Sequence, residues 1–212
     1  MFITFEGPEG SGKSSQIRLL AAFLTAEGYQ TVATREPGGT AIGDQIRDCL
    51  HHVDNTAMVA SAELLLYSAS RAQLVEEVIR PAMAQHIVVL CDRFADSTLA
   101  YQGYGRGLSL SDLQMITRFA TGGLQPDLTV LLDIDVTRGL ARREAGGEEM
   151  NRLDLETVSF HQRVRAGYHE MAAAEPARWV VVDADRPIPA VQVSLQEIVL
   201  QRLQQFEGAA IG

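Results

Sequence analysis

The chain has 212 residues, of which 46% are hydrophobic and 21% charged, and its net charge is −9. That length and composition fit one domain with a sizeable core. The acidic balance argues against general nucleic-acid binding, which needs a basic face, so each arginine inside a motif carries more information than usual. Cys49 and Cys91 lie far apart, with no metal-ligand spacing and no sign of a disulfide framework. No apolar run approaches the length of a membrane span. The N-terminus enters a strand-like run directly, without a basic and then apolar leader. A reducing cytoplasm and no membrane partner are the expectations.

The first element is the apolar run Phe2–Glu6. After it comes Gly7-Pro8-Glu9-Gly10-Ser11-Gly12-Lys13-Ser14-Ser15, which fits G-x-x-x-x-G-K-[ST]. A helix-period segment over 13–27 follows. Strand, glycine loop and helix is the context this motif requires. Glycines let successive backbone N–H groups curl around an anion, and the helix N-terminus adds its own. In such a loop Lys13 reaches the β- and γ-phosphates and the Ser14 hydroxyl helps hold Mg²⁺. The pattern therefore predicts a nucleoside triphosphate ligand.

A second strand is expected at Thr31–Arg35, ending in the loop Arg35-Glu36-Pro37-Gly38-Gly39-Thr40. Pro and Gly-Gly fix a tight loop there. Arg35 then stands at the ligand end of the sheet, where a second phosphate would lie. A capped turn with an incidental Arg is the other reading. Helical periodicity returns over 40–51 and over a long stretch at 59–85. In the latter, Tyr67 and Arg71 share a face at i and i+4. They could stack on a base and bond its edge, or they could be a core Tyr beside an exposed Arg.

The third strand, 87–92, ends on Asp92 and is followed at once by Arg93. A carboxylate after an apolar strand, opposite a phosphate loop, suits a nucleotide-bound Mg²⁺. An adjacent Arg could bridge two phosphates with its planar fork. The stretch from Ser97 through Thr98, Tyr101 and Gln102 to Gly107 is dense in glycine and short polar side chains. It reads as a loop close to a ligand, or as a glycine-rich loop with helix caps.

Helices are expected at 109–121, 136–145, 154–175 and 188–206, and strands at Leu128–Asp133 and Trp179–Asp183. Each strand is rich in Val, Ile or Leu rather than alternating, which marks strands buried on both faces of a parallel sheet. Strands alternating with helices predict a doubly wound α/β fold, with ligands outside the carboxyl ends of the strands. The charged segment from Arg142 and Arg143 to Arg152, with Gly146-Gly147 inside it, is either a mobile flap or a solvated loop. The five histidines pair with no Ser or Cys nucleophile and read as structural or surface groups without a metal role.

Taken together, these motifs resemble the bacterial thymidylate kinases, which are P-loop nucleoside monophosphate kinases. The resemblance runs over essentially the whole chain. It is carried by Glu6–Ser14, by Thr34-Arg35-Glu36-Pro37-Gly38-Gly39-Thr40 and by Ser70-Arg71-Ala72-Gln73. The stretch from Asp92-Arg93-Phe94 through Ala100-Tyr101-Gln102-Gly103, then Pro126–Asp133 and Asn151-Arg152-Leu153-Asp154, complete it.

The resemblance implies a single domain over 1–212 with the P-loop NTPase-type three-layer fold. A five-stranded parallel sheet would be flanked by helices, with an arginine-bearing lid at about 142–152. It implies ATP- and Mg²⁺-dependent phosphorylation of dTMP to dTDP, in dTTP synthesis, by a cytoplasmic homodimer. The loop residues Gly7 to Ser15 would hold ATP, and Ser14 and Asp92 would serve Mg²⁺. Lys13, Arg35, Arg93 and the lid arginines Arg142, Arg143 and Arg152 would be catalytic. Arg35, Arg93 and Arg47 would surround the dTMP phosphate. Tyr67 would stack on thymine, Arg71 would bond its O4 edge, and Thr98 and Gln102 would read the N3 edge, with Ser97 also among the substrate-binding residues. Tyr101 would crowd the sugar 2′ position, while Glu9 and Glu36 would sit near the 3′-hydroxyl or the metal waters. The family often has Phe at the stacking position, where this chain has Tyr67, and often Tyr where it has Phe94. Its P-loop interior holds no arginine, which resembles the type in which the lid supplies the transition-state charge. Two other readings remain from the residues. One is a kinase for another acceptor, such as UMP, CMP or a deoxynucleoside. The other is a nucleotide-dependent switch, although the Asn-Lys-x-Asp base reader of guanine-binding switches is missing.

Overall fold

The computed structural model describes residues 1–147 and 150–211 of the chain. Five strands form one parallel sheet: β1 (Phe2–Glu6), β2 (Thr31–Arg35), β3 (Val88–Asp92), β4 (Leu128–Asp133) and β5 (Trp179–Asp183), in the order β2-β3-β1-β4-β5. The helices are α1 (Lys13–Ala26), α2 (Ala41–His51), α3 (Ala60–Leu74), α4 (Arg80–Ala84), α5 (Ala95–Thr98), α6 (Leu110–Thr121), α7 (Val136–Ala145), α8 (Val158–Ala174) and α9 (Ile188–Ile211).

Side chains alternate across each strand, and both faces are covered. Ile3, Phe5, Leu90, Val130 and Leu132 meet Ile17, Leu20 and Leu24 of α1 and Val191, Leu195 and Val199 of α9. On the opposite face, Phe2, Val89 and Cys91 pack on Leu74, Val75 and Ile79, while Leu131 packs with Phe160, Val164 and Tyr168 of α8. This is the expected three-layer α/β arrangement. Only the edge strands β2 and β5 are partly exposed, because an edge strand has a neighbour on one side only.

Side-chain caps set the starts of α2, α6, α7 and α8. The Thr40 hydroxyl accepts from the Gly43 N–H (2.9 Å) ahead of α2. The Asp135 carboxylate accepts from the N–H groups of Thr137 (3.0 Å) and Arg138 (3.2 Å) ahead of α7. α1, like α3, α4 and α5, has no side-chain cap, but it alone among these follows a left-handed glycine, Gly12 at φ 85°. Its leading N–H groups are thus left to a ligand rather than to the protein.

Two expectations need correction. The long helix at 59–85 is not uniform, because Val75–Ile79 widens into a π-helical turn between α3 and α4. The segment read as a glycine-rich loop is helical instead: α5 runs on into a π-helical stretch, Leu99–Gly105, with Arg106 N–H bonding to Tyr101 O at 3.0 Å. Gly103 serves close packing here, since a Cβ would collide with Leu110 of α6. Residues 148 and 149 of the expected lid lie outside the described residues.

The sheet closes around α1 and α9, so Leu20, with no solvent exposure, is a sensitive probe. Leu20→Ala is expected to lower the unfolding free energy by about 2–5 kcal/mol in a urea titration. A loss below about 1 kcal/mol would show that this layer is loosely packed.

Candidate active site

Sheet register brings the functional strand ends together. Asp92 pairs with Phe5 on one side and with Arg35 on the other, so Glu6, Asp92 and Arg35 emerge along one edge. A cleft of about 380 Å³ opens above them. Its walls combine the glycine loop (Glu9, Gly10, Gly12–Ser15), the β2 end (Arg35, Glu36, Pro37), Arg47 and His51 of α2, and Tyr67 and Arg71 of α3. Asp92, Arg93, Ser97, Thr98, Tyr101 and Gln102 form the floor, and Arg142, Arg143, Asn151 and Leu153 close the far side.

The glycine loop is wound tightly. Gly10 has φ 68° and lies so near Gly139 of α7 that a Cβ would strike its carbonyl. Lys13 folds back, donating to the carbonyls of Gly7 (3.1 Å) and Pro8 (3.0 Å) and to Ser11 Oγ (3.2 Å). Burial, and then the Arg93 cation, lower its ammonium to about 8, while Glu9 and Asp92 oppose them. Ser14 Oγ donates to Asp92 Oδ2 at 2.6 Å. A hydroxyl and a carboxylate side by side are hard oxygen ligands. Mg²⁺ takes few protein ligands and completes its shell with water and phosphate, so this pair fits that ion.

Arg93 adopts φ 68°, a left-handed conformation rare for a residue with a side chain. Its guanidinium donates to Glu9 Oε1 (2.8 Å), Gly7 O (3.2 Å) and Tyr168 OH (3.2 Å), and it stacks over the Tyr101 ring at 4.9 Å. The Tyr101 hydroxyl donates to the same Glu9 oxygen at 2.7 Å. Burial opposes ionisation of Glu9, but Arg93, Lys13 and Tyr101 outweigh it and hold the carboxyl at about 2.

Arg35 and Arg47 stand on the other side of the cleft. Arg35 pairs with Asp44 at 3.1 Å, and Arg47 donates to Pro37 O at 2.9 Å. Burial, followed by the nearby Arg35 cation, pushes the Arg47 guanidinium down. Two cations held close in this way make a demand for an anion.

The base-reading expectation meets a different arrangement at Arg71. It is 1% exposed, not a surface group. It donates from Nε to Glu36 Oε2 (2.8 Å), from Nη1 to Thr98 Oγ1 (2.9 Å) and from Nη2 to Phe94 O (3.0 Å). Glu36 thus gives Oε2 to Arg71, while its Oε1 has no partner among the described residues, and burial pushes its carboxyl up against the pull of Arg71. Gln102 donates from Nε2 to Glu63 Oε1 at 2.8 Å, leaving its carbonyl oxygen for another partner.

A family model described as Thymidylate kinase matches residues 5–195. A thymidylate kinase of Roseiflexus sp. (strain RS-1) is 52% identical over 210 residues, covering 94% of this chain and 93% of that protein. One of Trichlorobacter lovleyi is 50% identical over 208 residues, with 96% and 98% covered. The crystal structure of thymidylate kinase from Ehrlichia chaffeensis superposes with a TM-score of 0.78 at 33% identity, covering 94% of this chain and 98% of that one. The chain belongs to the thymidylate kinase family, whose members are phosphotransferases.

Of the three lid arginines expected from that family, two line the cleft and one does not. Arg142 is held at Ala184 O (2.9 Å) and Asp185 Oδ1 (2.9 Å), and Arg143 at Asp154 (3.1 Å). Arg152 instead turns away onto Glu63 Oε2 and Leu50 O (3.2 Å). The reason is electrostatic: Glu63, 1% exposed, draws Arg152 together with Arg106 and Gln102 to offset its burial. Arg138 also pairs with Asp185, beside the glycine loop.

Sequence reasoning passed over several groups. His51 lines the cleft, and burial followed by Arg47 lowers it to about 4, so it is neutral near pH 7. Its place at the end of α2, one turn after Arg47, was the available signal. Tyr168 and Glu6 lie just beneath the cleft floor. His161 is 2% exposed, not a surface group, and neither ring nitrogen has a partner among the described residues.

Removing one partner of a buried ion pair strands the other. Glu36→Ala is thus expected to cost about 3–5 kcal/mol in unfolding free energy. Chemical denaturation checks this, and a loss under about 1 kcal/mol would mean that water reaches Arg71.

Proposed function

We propose that this chain transfers the γ-phosphoryl group of ATP to dTMP, giving dTDP and ADP, with Mg²⁺, in dTTP synthesis. One observation carries the reading. A phosphate loop with Lys13 and a separate group of arginines, Arg35, Arg47 and Arg93, open into a single cleft. A nucleotide switch needs the first set only. A kinase needs both, because donor and acceptor phosphates must meet in line.

In this reading the glycine-loop N–H groups, from Gly7 to Ser15, and Lys13 hold the donor phosphates. Phosphate binding replaces the Gly7 and Pro8 carbonyls as partners of Lys13 and favours its charged form. Ser14 and Asp92 hold Mg²⁺, which supplies charge neutralisation at the phosphates. Arg35 and Arg47 hold the acceptor phosphate, and Arg93 reaches both sides. Arg142 and Arg143 stand opposite the loop to meet the transferring group. Arg152 is left out of that role, since its guanidinium serves Glu63. Phosphoryl transfer is mainly positioning and charge stabilisation, so no protein nucleophile enters.

Tyr67 stacks on the base, Arg71 and Thr98 present donors to a pyrimidine with an O4 acceptor, and the Gln102 carbonyl oxygen is left to accept from its N3–H. Burial of Arg71 strengthens this proposal. A guanidinium fixed by Glu36, Thr98 and Phe94 cannot re-aim to suit a different base edge. Tyr101 and Glu9, linked by their hydrogen bond, form the wall beside the sugar, with Ser97 near the phosphate. The setting is cytoplasmic. No helix among the described residues is long and apolar enough to cross a membrane.

A second copy of the chain is the proposed protein partner. Met115 and Phe119, at i and i+4 on α6, are 69% and 91% exposed, and Leu65 on the adjoining α3 is 58% exposed. Large apolar side chains grouped in this way call for a cover.

The deciding experiment is ADP release with ATP and Mg²⁺, comparing dTMP, dUMP, UMP and thymidine. Preference for dTMP is the expected result. Preference for another acceptor would keep the kinase chemistry and overturn the base reader. ADP release that ignores every acceptor would overturn the kinase reading. For the partner, sedimentation is expected to give a dimer, and Phe119→Asp a monomer. A monomeric parent protein would exclude the α3–α6 face as a self-association surface.

A further inference from the structure

Glu6 closes β1 with no solvent exposure and does not line the cleft. Its carboxylate is nevertheless fully engaged. Oε1 accepts from the Phe94 N–H at 2.8 Å, and Oε2 accepts from Ser97 Oγ at 2.6 Å and Tyr168 OH at 2.8 Å. The same two hydroxyls receive Arg93 Nη1, at 3.4 Å and 3.2 Å. One carboxylate thus grips the amide that follows the left-handed Arg93 and both hydroxyls that meet its guanidinium.

The direction of these hydrogen bonds matters. An ionised carboxylate can only accept. It claims the hydroxyl hydrogens of Ser97 and Tyr168, so that their lone pairs are turned toward Arg93. A neutral amide could also accept from the Phe94 N–H, but its NH₂ arm could not accept two hydroxyl hydrogens.

We infer that Glu6, acting through Tyr168 and Ser97, is the positioning group that sets Arg93 for phosphate. This rests on the proposed role of Arg93 in phosphoryl transfer. Glu6 touches no substrate in this scheme. It decides which way the hydroxyls around the cation point.

The same geometry makes the device sensitive to protons. Burial, followed by the Asp96 charge, pushes the Glu6 carboxyl up to about 7, against Ser97, Arg93 and Tyr168. Lys13 from α1 and Cys91 from β3 also sense its charge, and Asp96 is itself paired with Arg178 at 2.6 Å. A proton on Glu6 turns an acceptor into a donor. One hydroxyl must then give up its bond to Glu6 and turn its hydrogen to the other hydroxyl, 2.9 Å away, which takes from that oxygen a lone pair otherwise turned to Arg93.

Two pH effects of opposite sign follow. Turnover rises with pH through about 7 as Glu6 ionises. Glu6's contribution to folding moves the other way. A raised carboxyl binds its proton more tightly in the folded chain than in the unfolded one, so stability falls as pH rises from the ordinary carboxyl range to about 7.

The test is steady-state kinetics with dTMP and ATP across roughly pH 5.5 to 9, a range that spans that value on both sides. Glu6→Gln, Tyr168→Phe and Arg93→Lys are compared with the parent, and each is melted to confirm folding. Orienting groups at comparable sites are worth roughly 10–100-fold. Glu6→Gln and Tyr168→Phe are expected to lower kcat/KM for dTMP by about that factor, with KM for ATP little changed. Glu6→Gln should erase the acid limb. Tyr168→Phe should move it to higher pH, because the lost hydroxyl had been stabilising the Glu6 anion.

If Arg93→Lys leaves dTMP turnover intact, the underlying reading of Arg93 fails. If Arg93→Lys is impaired while both other variants keep parental kcat/KM and an unshifted acid limb, the Glu6 inference fails alone. Should Glu6→Gln not fold, the Tyr168→Phe rate and limb shift decide.

Discussion

Arg93 is largely covered, its side chain 15% exposed, where β1 and β3 end side by side, and a guanidinium cannot give up its proton to ease that desolvation. Its hydrogen-bond partners must therefore all accept. Glu9 supplies a carboxylate, Gly7 a carbonyl, Ser97 and Tyr168 hydroxyls, and Tyr101 the face of its ring. These partners come from the glycine loop, α5 with the π-helical stretch that continues it, and α8. Satisfying one cation thus joins three elements that are distant in sequence, and it shapes the glycine loop before any phosphate arrives. The left-handed backbone at Arg93 is tolerated because those contacts over-determine it.

Buried carboxylates impose a parallel order on the rest of the site. Glu36 anchors Arg71, Glu63 gathers Arg106, Gln102 and Arg152, and Asp96 holds Arg178. Such pairs add little net stability over an apolar core, but they fix geometry, since each removed partner leaves a stranded charge. In an acidic chain with 18 basic side chains, the arginines are divided by this rule. Those matched to a buried carboxylate, such as Arg152, are committed to structure. Those facing the cleft with exposed or backbone partners, such as Arg35 and Arg47, remain able to meet an anion.

The glycine loop and α7 form a second coupled unit. Gly10 and Gly139 touch so closely that neither tolerates a side chain. Arg138 and Arg142 then lean across to Asp185 in the loop after β5. The far wall of the cleft is in this way attached directly to the phosphate loop, so a shift in either is transmitted to the other through backbone contact.

The strands and several helix starts were legible from sequence because they rest on local rules. Apolar runs define β1 to β5, and Thr40, Ser109 and Asp135 cap the helices that follow them. The phosphate loop was legible for the same reason: its function lies in consecutive backbone N–H groups, and backbone spacing is written in the chain. The second set of arginines could be named, but not their commitments. Whether Arg71 is exposed and whether Arg152 faces the cleft both depend on which carboxylate lies opposite. That partner comes from a strand or helix far along the chain. The π-helical turns and the placing of Glu6 beneath Tyr168 were likewise beyond reach. By itself the sequence determined the sheet, the glycine loop and the supply of charged groups. Only the tertiary structure decided which charges neutralise one another, because burial makes pairing compulsory and pairing depends on distance in space.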